Sequence, residues 1–404
     1  MLSPPAPPTE PPSKLRTWSR VIHILLLAAV TGTFTRGLVT VLTPVAPPPV
    51  QMVLSVLDQA RVLERREEPI PHFEGFDAAG NQVGIAVLSD EVPPAVSGYT
   101  GQITMVLGLN MEGIIQRVLV ARHNETTWYM EMVKSSNLLH DLNGIDLSEP
   151  FPAVDSVSGA TVSSQAVIRD VEETARRTAR KVLNIQVPPP SLMRPNPWFH
   201  WSVGLLAGAL VLSLVASILN KHLWLRTVAI AGSFAAVGIV LNTPFTLSAA
   251  VNLLTLNIPG WNNPFLILIL GYLIITIPLF GRSYCRLVCP FGALQHFIHR
   301  WWFWKLKPTP TLLTLLPIFR TGFLALLLTL AGVAGYGGFA QVEPFFSLFS
   351  LRLTGVVWIY VMIIIIISLF WRRFWCNACC PTGTILYLLS RASRPRRGRQ
   401  DETV

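Results

Sequence analysis

Long apolar runs and one polar, alternating stretch divide this chain unevenly. The first run extends from Val21 to about Val45, and five more follow at about 199–219, 225–241, 265–280, 312–334 and 355–371. Each approaches the roughly 20 residues a helix needs to cross the hydrocarbon core. The stretch 242–264 is partly apolar, but Thr243, Pro244, Pro259 and Gly260 interrupt it, which predicts an outer loop or interfacial segment. Between the first two runs, residues 46–197 read as a soluble α+β domain. A helix is expected over Val50–Arg66, a turn at Gly80-Asn81, and a hairpin of Ile103–Leu109 and Ile114–Val120 around Glu112-Gly113. Trp128–Leu142 predicts another helix. Ser163–Leu183 predicts a third, because Val167, Val171, Ala175, Ala179 and Val182 recur along one helical face. Pro188–Pro197 reads as a linker, and the proline-rich residues 1–13 as a disordered tail.

Composition turns these runs into a membrane protein. Only 13% of the 404 residues are charged, against roughly 25% in soluble proteins. The net charge of +10 does not imply nucleic acid, since the basic residues sit in short groups beside apolar runs rather than on one polar face. Those groups orient the chain by the positive-inside rule. Lys14, Arg16 and Arg20 hold the N-terminus in the cytoplasm. Lys221 and Arg226, then Arg282, Arg286, Arg300, Lys305 and Lys307, then Arg372, Arg373 and the arginines from Arg391 to Arg399 mark the later cytoplasmic segments. Six transmembrane helices with both termini inside satisfy every group. The expected layout is a cytoplasmic tail over 1–20, a first transmembrane helix over 21–45, an extracytoplasmic domain over 46–197, a five-span membrane domain over 198–390 and a basic cytoplasmic tail over 391–404. This places the protein in a cytoplasmic (inner) membrane, in contact with lipid. Trp301-Trp302-Phe303-Trp304 fits an interfacial anchor.

Two short motifs carry candidate chemistry. The first is Asp155-Ser156-Val157-Ser158-Gly159-Ala160-Thr161, followed by Ser163 and Ser164. It is a small-residue turn opening a helix, whose free amides and positive dipole end suit a phosphate. Gly159 and Ala160 admit a bulky group, and Thr161 offers a hydroxyl. Ser158, Ser163 and Ser164 would serve equally as helix caps. The second motif occurs twice, as Cys285-Arg286-Leu287-Val288-Cys289-Pro290 and Cys376-Asn377-Ala378-Cys379-Cys380-Pro381. Cysteines at i and i+4 share one helix face, so two such pairs present Cys285, Cys289, Cys376 and Cys380 to one centre. Four thiolates suit a 4Fe-4S cluster, and also a zinc ion or a pair of redox dithiols. Cys379 lies outside the repeat and reads as a small apolar residue.

The first motif resembles the attachment site of covalent FMN-binding domains found in sodium-pumping quinone reductase and Rnf-complex subunits. The likeness extends through Gly98-Tyr99-Thr100-Gly101-Gln102-Ile103, Gly108, Gly113 and His123-Asn124-Glu125-Thr126, and covers roughly residues 70 to 185. It implies FMN joined by a phosphoester to Thr161, within Ser158-Gly159-Ala160-Thr161, and installed by a flavin transferase that recognises Asp155. Glu125 and Thr126 would belong to the same cofactor site. The combination with five spans and two Cys-x-x-x-Cys-Pro motifs resembles the NosR/NirI group. Within it the chain looks most like the short membrane proteins associated with reductive dehalogenases, which lack a C-terminal ferredoxin domain. The implied architecture is an extracytoplasmic FMN-binding domain inserted between the first span and a five-helix bundle.

Electron transfer gives each part a role. The resemblance implies oxidation of quinol, with electrons passing through FMN to an exported terminal reductase. With the cysteines on the inner side, about 30 Å of hydrocarbon would separate them from the flavin, so a quinone among the spans is the expected bridge. The alternative is a maturation or redox-sensing factor for an exported metalloenzyme of nitrous-oxide-reductase or dehalogenase type. His23, His200, His222, His296 and His299 lie near span ends and form no facing pair for haem. Glu343 is expected in an outer loop, where a solvated position is the simplest reading.

Overall fold

Every apolar run is helical in the computed structural model, which describes residues 13–43, 48–92, 96, 98–99, 101–189, 200–219, 221–257, 263–306, 308–334, 342–349 and 355–393. The tail up to residue 12, most of the Pro188–Pro197 linker, Thr100, Lys307 and the arginines beyond Arg391 lie outside the described residues. Helix α1 (Ser13–Leu42) begins earlier than expected and takes in Lys14, Arg16 and Arg20, which therefore belong to the helix and not to a tail.

The polar stretch folds as an antiparallel meander with helices on both faces. In chain order it contains α2 (Val50–Leu54), β1 (Val62–Arg66), β2 (His72–Phe76), β3 (Gln82–Leu88), β4 (Ile103–Leu109), β5 (Ile115–His123), α3 (Thr127–Ser135), α4 (Leu138–Asp141) and α5 (Thr161–Lys181). The sheet order is β1-β2-β3-β4-β5. Strand β4 is buried along its whole length. One of its faces lies in a core with Val133, Val167, Val171 and Ala175 from α3 and α5, and Val106 lies on the other with Val53, Val56 and Leu57. Close approach explains Gly108: a Cβ there would stand 1.9 Å from the Val56 carbonyl oxygen, so a side chain would push strand and helix segment apart.

Two helix expectations change. The helix expected over Val50–Arg66 stops at Leu54, and Val62–Arg66 is an edge strand paired with β2. Its residues are mostly exposed, and charged side chains on an exposed edge discourage further pairing. Arg66 pairs with Glu74 on β2 and Arg65 with Glu91. The Trp128–Leu142 helix divides into α3 and α4 because Ser136 is extended, with its hydroxyl donating to the Val133 carbonyl and accepting from the Leu138 amide. The expected Ile103–Val120 hairpin forms, with Gly113 at φ +86° in its turn.

The remaining helices are α6 (Trp201–Ile218), α7 (Leu223–Ser233), α8 (Leu247–Leu254), α9 (Pro264–Phe280), α10 (Pro290–Trp301), α11 (Pro310–Ala334), α12 (Phe345–Phe349), α13 (Gly355–Phe370), α14 (Phe374–Ala378) and α15 (Pro381–Ser393). Helix α7 continues as a wider π-turn through Phe234–Val240. Among the described residues, four helical stretches are long and apolar enough to cross a membrane: Thr17–Leu42, Trp201–Ile218, Leu223–Val240 and Pro310–Ala331. Pro264–Phe280 and Val357–Phe370 are apolar but shorter. Helix α1 packs on α11, where the Thr33 hydroxyl reaches the Leu328 carbonyl. Within the 242–264 segment, Leu247–Leu254 forms α8 rather than a loop, and its residues Leu247 to Val251 are buried; residues 258–262 lie outside the described residues.

Candidate functional site

The flavin-type motif forms the turn into α5. Gly159 takes φ +83°, a left-handed conformation that costs a residue with Cβ roughly 1–2 kcal/mol. Ala160 is the N-cap and its side chain accepts no bond. The capping role open to Ser158, Ser163 and Ser164 is therefore not used. The Ser164 hydroxyl accepts from the Val157 amide and donates back to the Ala160 carbonyl, closing the turn. Ser163 is buried with its hydroxyl oxygen lacking a hydrogen-bond partner. Thr161, Ser158 and Asp155 are exposed. An exposed threonine hydroxyl at an uncapped helix start, beside an orphaned buried hydroxyl, fits a phosphate held by main-chain amides.

Glu125 and Thr126 are buried nearby in sequence to β5, and Glu125 serves the main chain. Its carboxylate accepts from the Tyr99 and Thr126 amides. A Cβ on Gly98 would collide with it. Burial, together with the Glu125 charge, pushes the Tyr99 phenol well above its ordinary range, and burial does the same to Tyr129. Both phenols remain protonated donors. They meet edge to face, with ring centroids 6.2 Å apart.

The two cysteine motifs adopt one local fold. Tyr284–Val288 is a π-turn, and the Cys289 amide bonds to the Tyr284 carbonyl at 2.8 Å; the Cys380 amide bonds to the Trp375 carbonyl at the same distance. Each Cys-Pro then starts a helix, α10 or α15. The shared face expected of an α-helical i, i+4 pair is thus produced by a wider turn followed by a new helix. The motifs touch, since a Cβ on Gly292 would lie 3.7 Å from Cys376 Sγ and 2.6 Å from the Cys285 carbonyl oxygen. Gln295 joins them: its amide donates to Cys376 Sγ at 3.3 Å, and its carbonyl accepts from Ser368 and the Trp375 amide. The Gly383 amide donates to Cys380 Sγ at 3.2 Å. Donors aimed at sulfur favour thiolate and tune a cluster's potential. Among the described residues, no three His, Cys, Asp or Glu converge on a single ion. Four cysteines brought near one another by the two turns are the donor set a 4Fe-4S cluster uses. Cys379 is half-buried and packs at the edge of the same apolar core.

Polar residues that the sequence left unassigned join the two sites. The Tyr99 hydroxyl donates to the Thr243 carbonyl at 2.9 Å, and the Tyr129 hydroxyl to the Asn242 carbonyl. The Asn242 side chain reaches the Gly159 carbonyl at 3.4 Å, within the flavin-type motif itself. Two residues beyond Thr243, the Phe245 amide donates to the Tyr284 hydroxyl at 2.6 Å, and Tyr284 precedes Cys285. A second line runs from the Asn124 carbonyl to Asn252 on α8 at 2.6 Å. The Leu247 amide at the start of α8 then donates to Glu343, which also accepts from the Thr382 amide and hydroxyl, beside Cys380. Asn263 binds the Gly98 and Tyr99 carbonyls.

This overturns one expectation: Glu343 is 2% exposed rather than solvated. The FMN-type domain and the cysteine turns are linked through chains of contacts. Asparagine and glutamate within apolar sequence were the available signal, because such residues in membrane segments mark functional positions.

Comparison with known families agrees with this division of the chain. Residues 98–176 match the FMN-binding domain family, and residues 262–309 and 353–400 each match the 4Fe-4S binding domain family. Neither curated proteins nor solved structures gave a match. The chain thus combines an FMN-binding domain with a duplicated 4Fe-4S binding domain and apolar helices able to span a membrane, as an electron-transfer flavoprotein does.

Proposed function

We propose that this protein is an inner-membrane electron carrier that takes electrons from quinol and delivers them to an exported terminal reductase such as a reductive dehalogenase. The observation that carries the reading is the double line of contacts from the Gly159 turn and the Asn124 loop to the two cysteine turns. A maturation or regulatory factor has no need to tie a flavin site to a metal site in this way. In this reading the chain crosses the membrane six times with both termini in the cytoplasm, and it resembles the short NosR/NirI-type proteins.

FMN would be held covalently by Thr161 after action of a flavin transferase, and would supply one- or two-electron chemistry. Cys285, Cys289, Cys376 and Cys380 would hold the cluster. The chain's own residues do the positioning. The α5 amides and Ser163 receive the phosphate, Asn242 fixes the turn against the membrane domain, and Gln295 and the Gly383 amide stabilise thiolates. The apolar shell of Phe291 and Phe345, in ring contact, excludes water from the deeper cysteines. Quinol serves as the electron donor, and a quinone among the spans carries electrons between the two centres.

The test is in-gel flavin fluorescence after denaturation, with the protein coexpressed with a flavin transferase. Wild type fluoresces and Thr161→Ala does not. Fluorescence that survives the substitution moves the attachment elsewhere, and purified flavinylated protein whose flavin is not reduced by quinol removes the proposed donor.

A further inference from the structure

A cavity of about 270 Å³ opens beside the cysteine turns, and six arginines line it: Arg226, Arg282, Arg286, Arg300, Arg372 and Arg373. Among the described residues, no carboxylate lines it. None is available nearby in sequence either, because Glu343 is the single acidic residue between positions 198 and 400, and it is engaged by Leu247 and Thr382. A cluster bound to four thiolates carries a net charge of about −2 to −3. Six guanidinium groups exceed that charge, so the cavity stays cationic with the cluster in place.

The geometry around Arg373 points the same way. Its backbone is left-handed, at φ +52°, a strained conformation for a residue with Cβ. One of its terminal nitrogens donates to the Arg286 carbonyl, while its Nε is buried without a hydrogen-bond partner. A guanidinium N–H shut off from water without an acceptor is unfavourable. Helix dipoles and main-chain carbonyls do not supply a full negative charge, whereas an anion does.

The surroundings indicate the setting. Leu223 and Trp224 beside Arg226 are each 66% exposed, and Trp301 beside Arg300 is 86% exposed. Exposed tryptophans next to arginines mark the headgroup level of a membrane, and basic pockets between helices at that level receive lipid headgroups.

We propose that this cavity binds the phosphate group of an anionic ligand, forked by the arginines at the cysteine centre. Guanidinium groups match phosphate through paired N–H donors. The phosphate of an anionic lipid and that of a soluble compound present the same chemistry, and the experiment separates them. The proposal stands apart from the electron-transfer reading, because it requires only the arginines and not a loaded cluster.

Full-length protein is placed in nanodiscs of phosphatidylcholine, and its thermal unfolding is followed with inorganic pyrophosphate added. A second set of discs contains cardiolipin without pyrophosphate. A raised unfolding temperature is expected in one set, since a ligand that binds only the folded state stabilises it. Response to pyrophosphate identifies a soluble phosphate, and response to cardiolipin alone identifies a lipid. In the Arg226→Gln/Arg300→Gln variant the apparent affinity should fall at least tenfold, while Lys305→Gln, outside the cavity lining, should match wild type. If the double variant does not fold, Arg372→Gln takes its place. No stabilisation in either set, or an equal response in the arginine variants, overturns the proposal. Visible absorbance of the iron–sulfur chromophore on the same samples reports separately on the cluster.

Discussion

The FMN-binding domain and the membrane part handle polar groups in opposite ways. Of 22 acidic residues, all but Glu10, Glu343, Asp401 and Glu402 lie in the 46–197 domain. There many make exposed pairs, such as Arg66 with Glu64, and exposed pairs contribute roughly 0–1 kcal/mol each. In the membrane part most serine and threonine hydroxyls bond back to a carbonyl of their own helix, whereas a few larger polar side chains span two elements. Glu343 joins α8 to the second cysteine turn, Gln295 joins α10 to Cys376, and Asn263 joins α9 to the soluble domain. The same residue type is therefore weak information in one region and strong information in the other.

The largest effects should come from the cysteines. Cys289→Ser and Cys380→Ser are each expected to abolish the visible iron–sulfur absorbance while in-gel flavin fluorescence persists, whereas Cys379→Ser keeps both. Loss of both signals from one cysteine change would mean that the regions fold as a single unit. Next comes Glu343→Ala, which leaves buried donors at Leu247 and Thr382 without an acceptor. At about 1–3 kcal/mol for each orphaned group, the yield of folded protein in detergent should drop severalfold, with Glu343→Gln restoring most of it. A surface-like effect below twofold would break the contrast drawn here.

A smaller effect concerns pH. Burial pushes the Asp170 carboxyl of α5 up to about 7, opposed by a hydrogen bond from Ser89 and reinforced by Asp90 and Glu173. The folded state thus keeps a proton that the unfolded chain releases near its ordinary carboxylate range. Stability from this group falls as pH rises from about 4 to about 7 and is level above that. Asp170→Asn should flatten this slope in thermal unfolding measured at pH 5 and pH 8, and an unchanged slope would assign it to other groups. The smallest effect is Tyr284→Phe. It removes one hydrogen bond, worth about 1 kcal/mol, and should speed amide exchange at Phe245 without altering the soluble domain's core.

Much of this was legible in the sequence where the signal is local or periodic. The apolar runs foretold the long helices, although α1 starts at Ser13 and not at Val21, and the Val167–Ala179 spacing gave α5. The Gly159 turn and the repeated Cys-Pro were visible because small residues and proline constrain backbone directly. Strand β1 was not legible, since Val62 to Arg66 carries no period-2 burial and exists only through its pairing with β2. The docking of Tyr99 and Tyr129 on Asn242 and Thr243 was hidden for another reason. It joins positions more than 100 residues apart, through main-chain carbonyls that every residue possesses.

The two cysteine turns are also made at different times. Cys285 and Cys289 follow α9, whereas Cys376 and Cys380 follow α13. Chains are made and largely folded from the N-terminus. The FMN-binding domain, whose last helix ends at residue 181, therefore emerges and can fold before the second cysteine turn exists to meet the first.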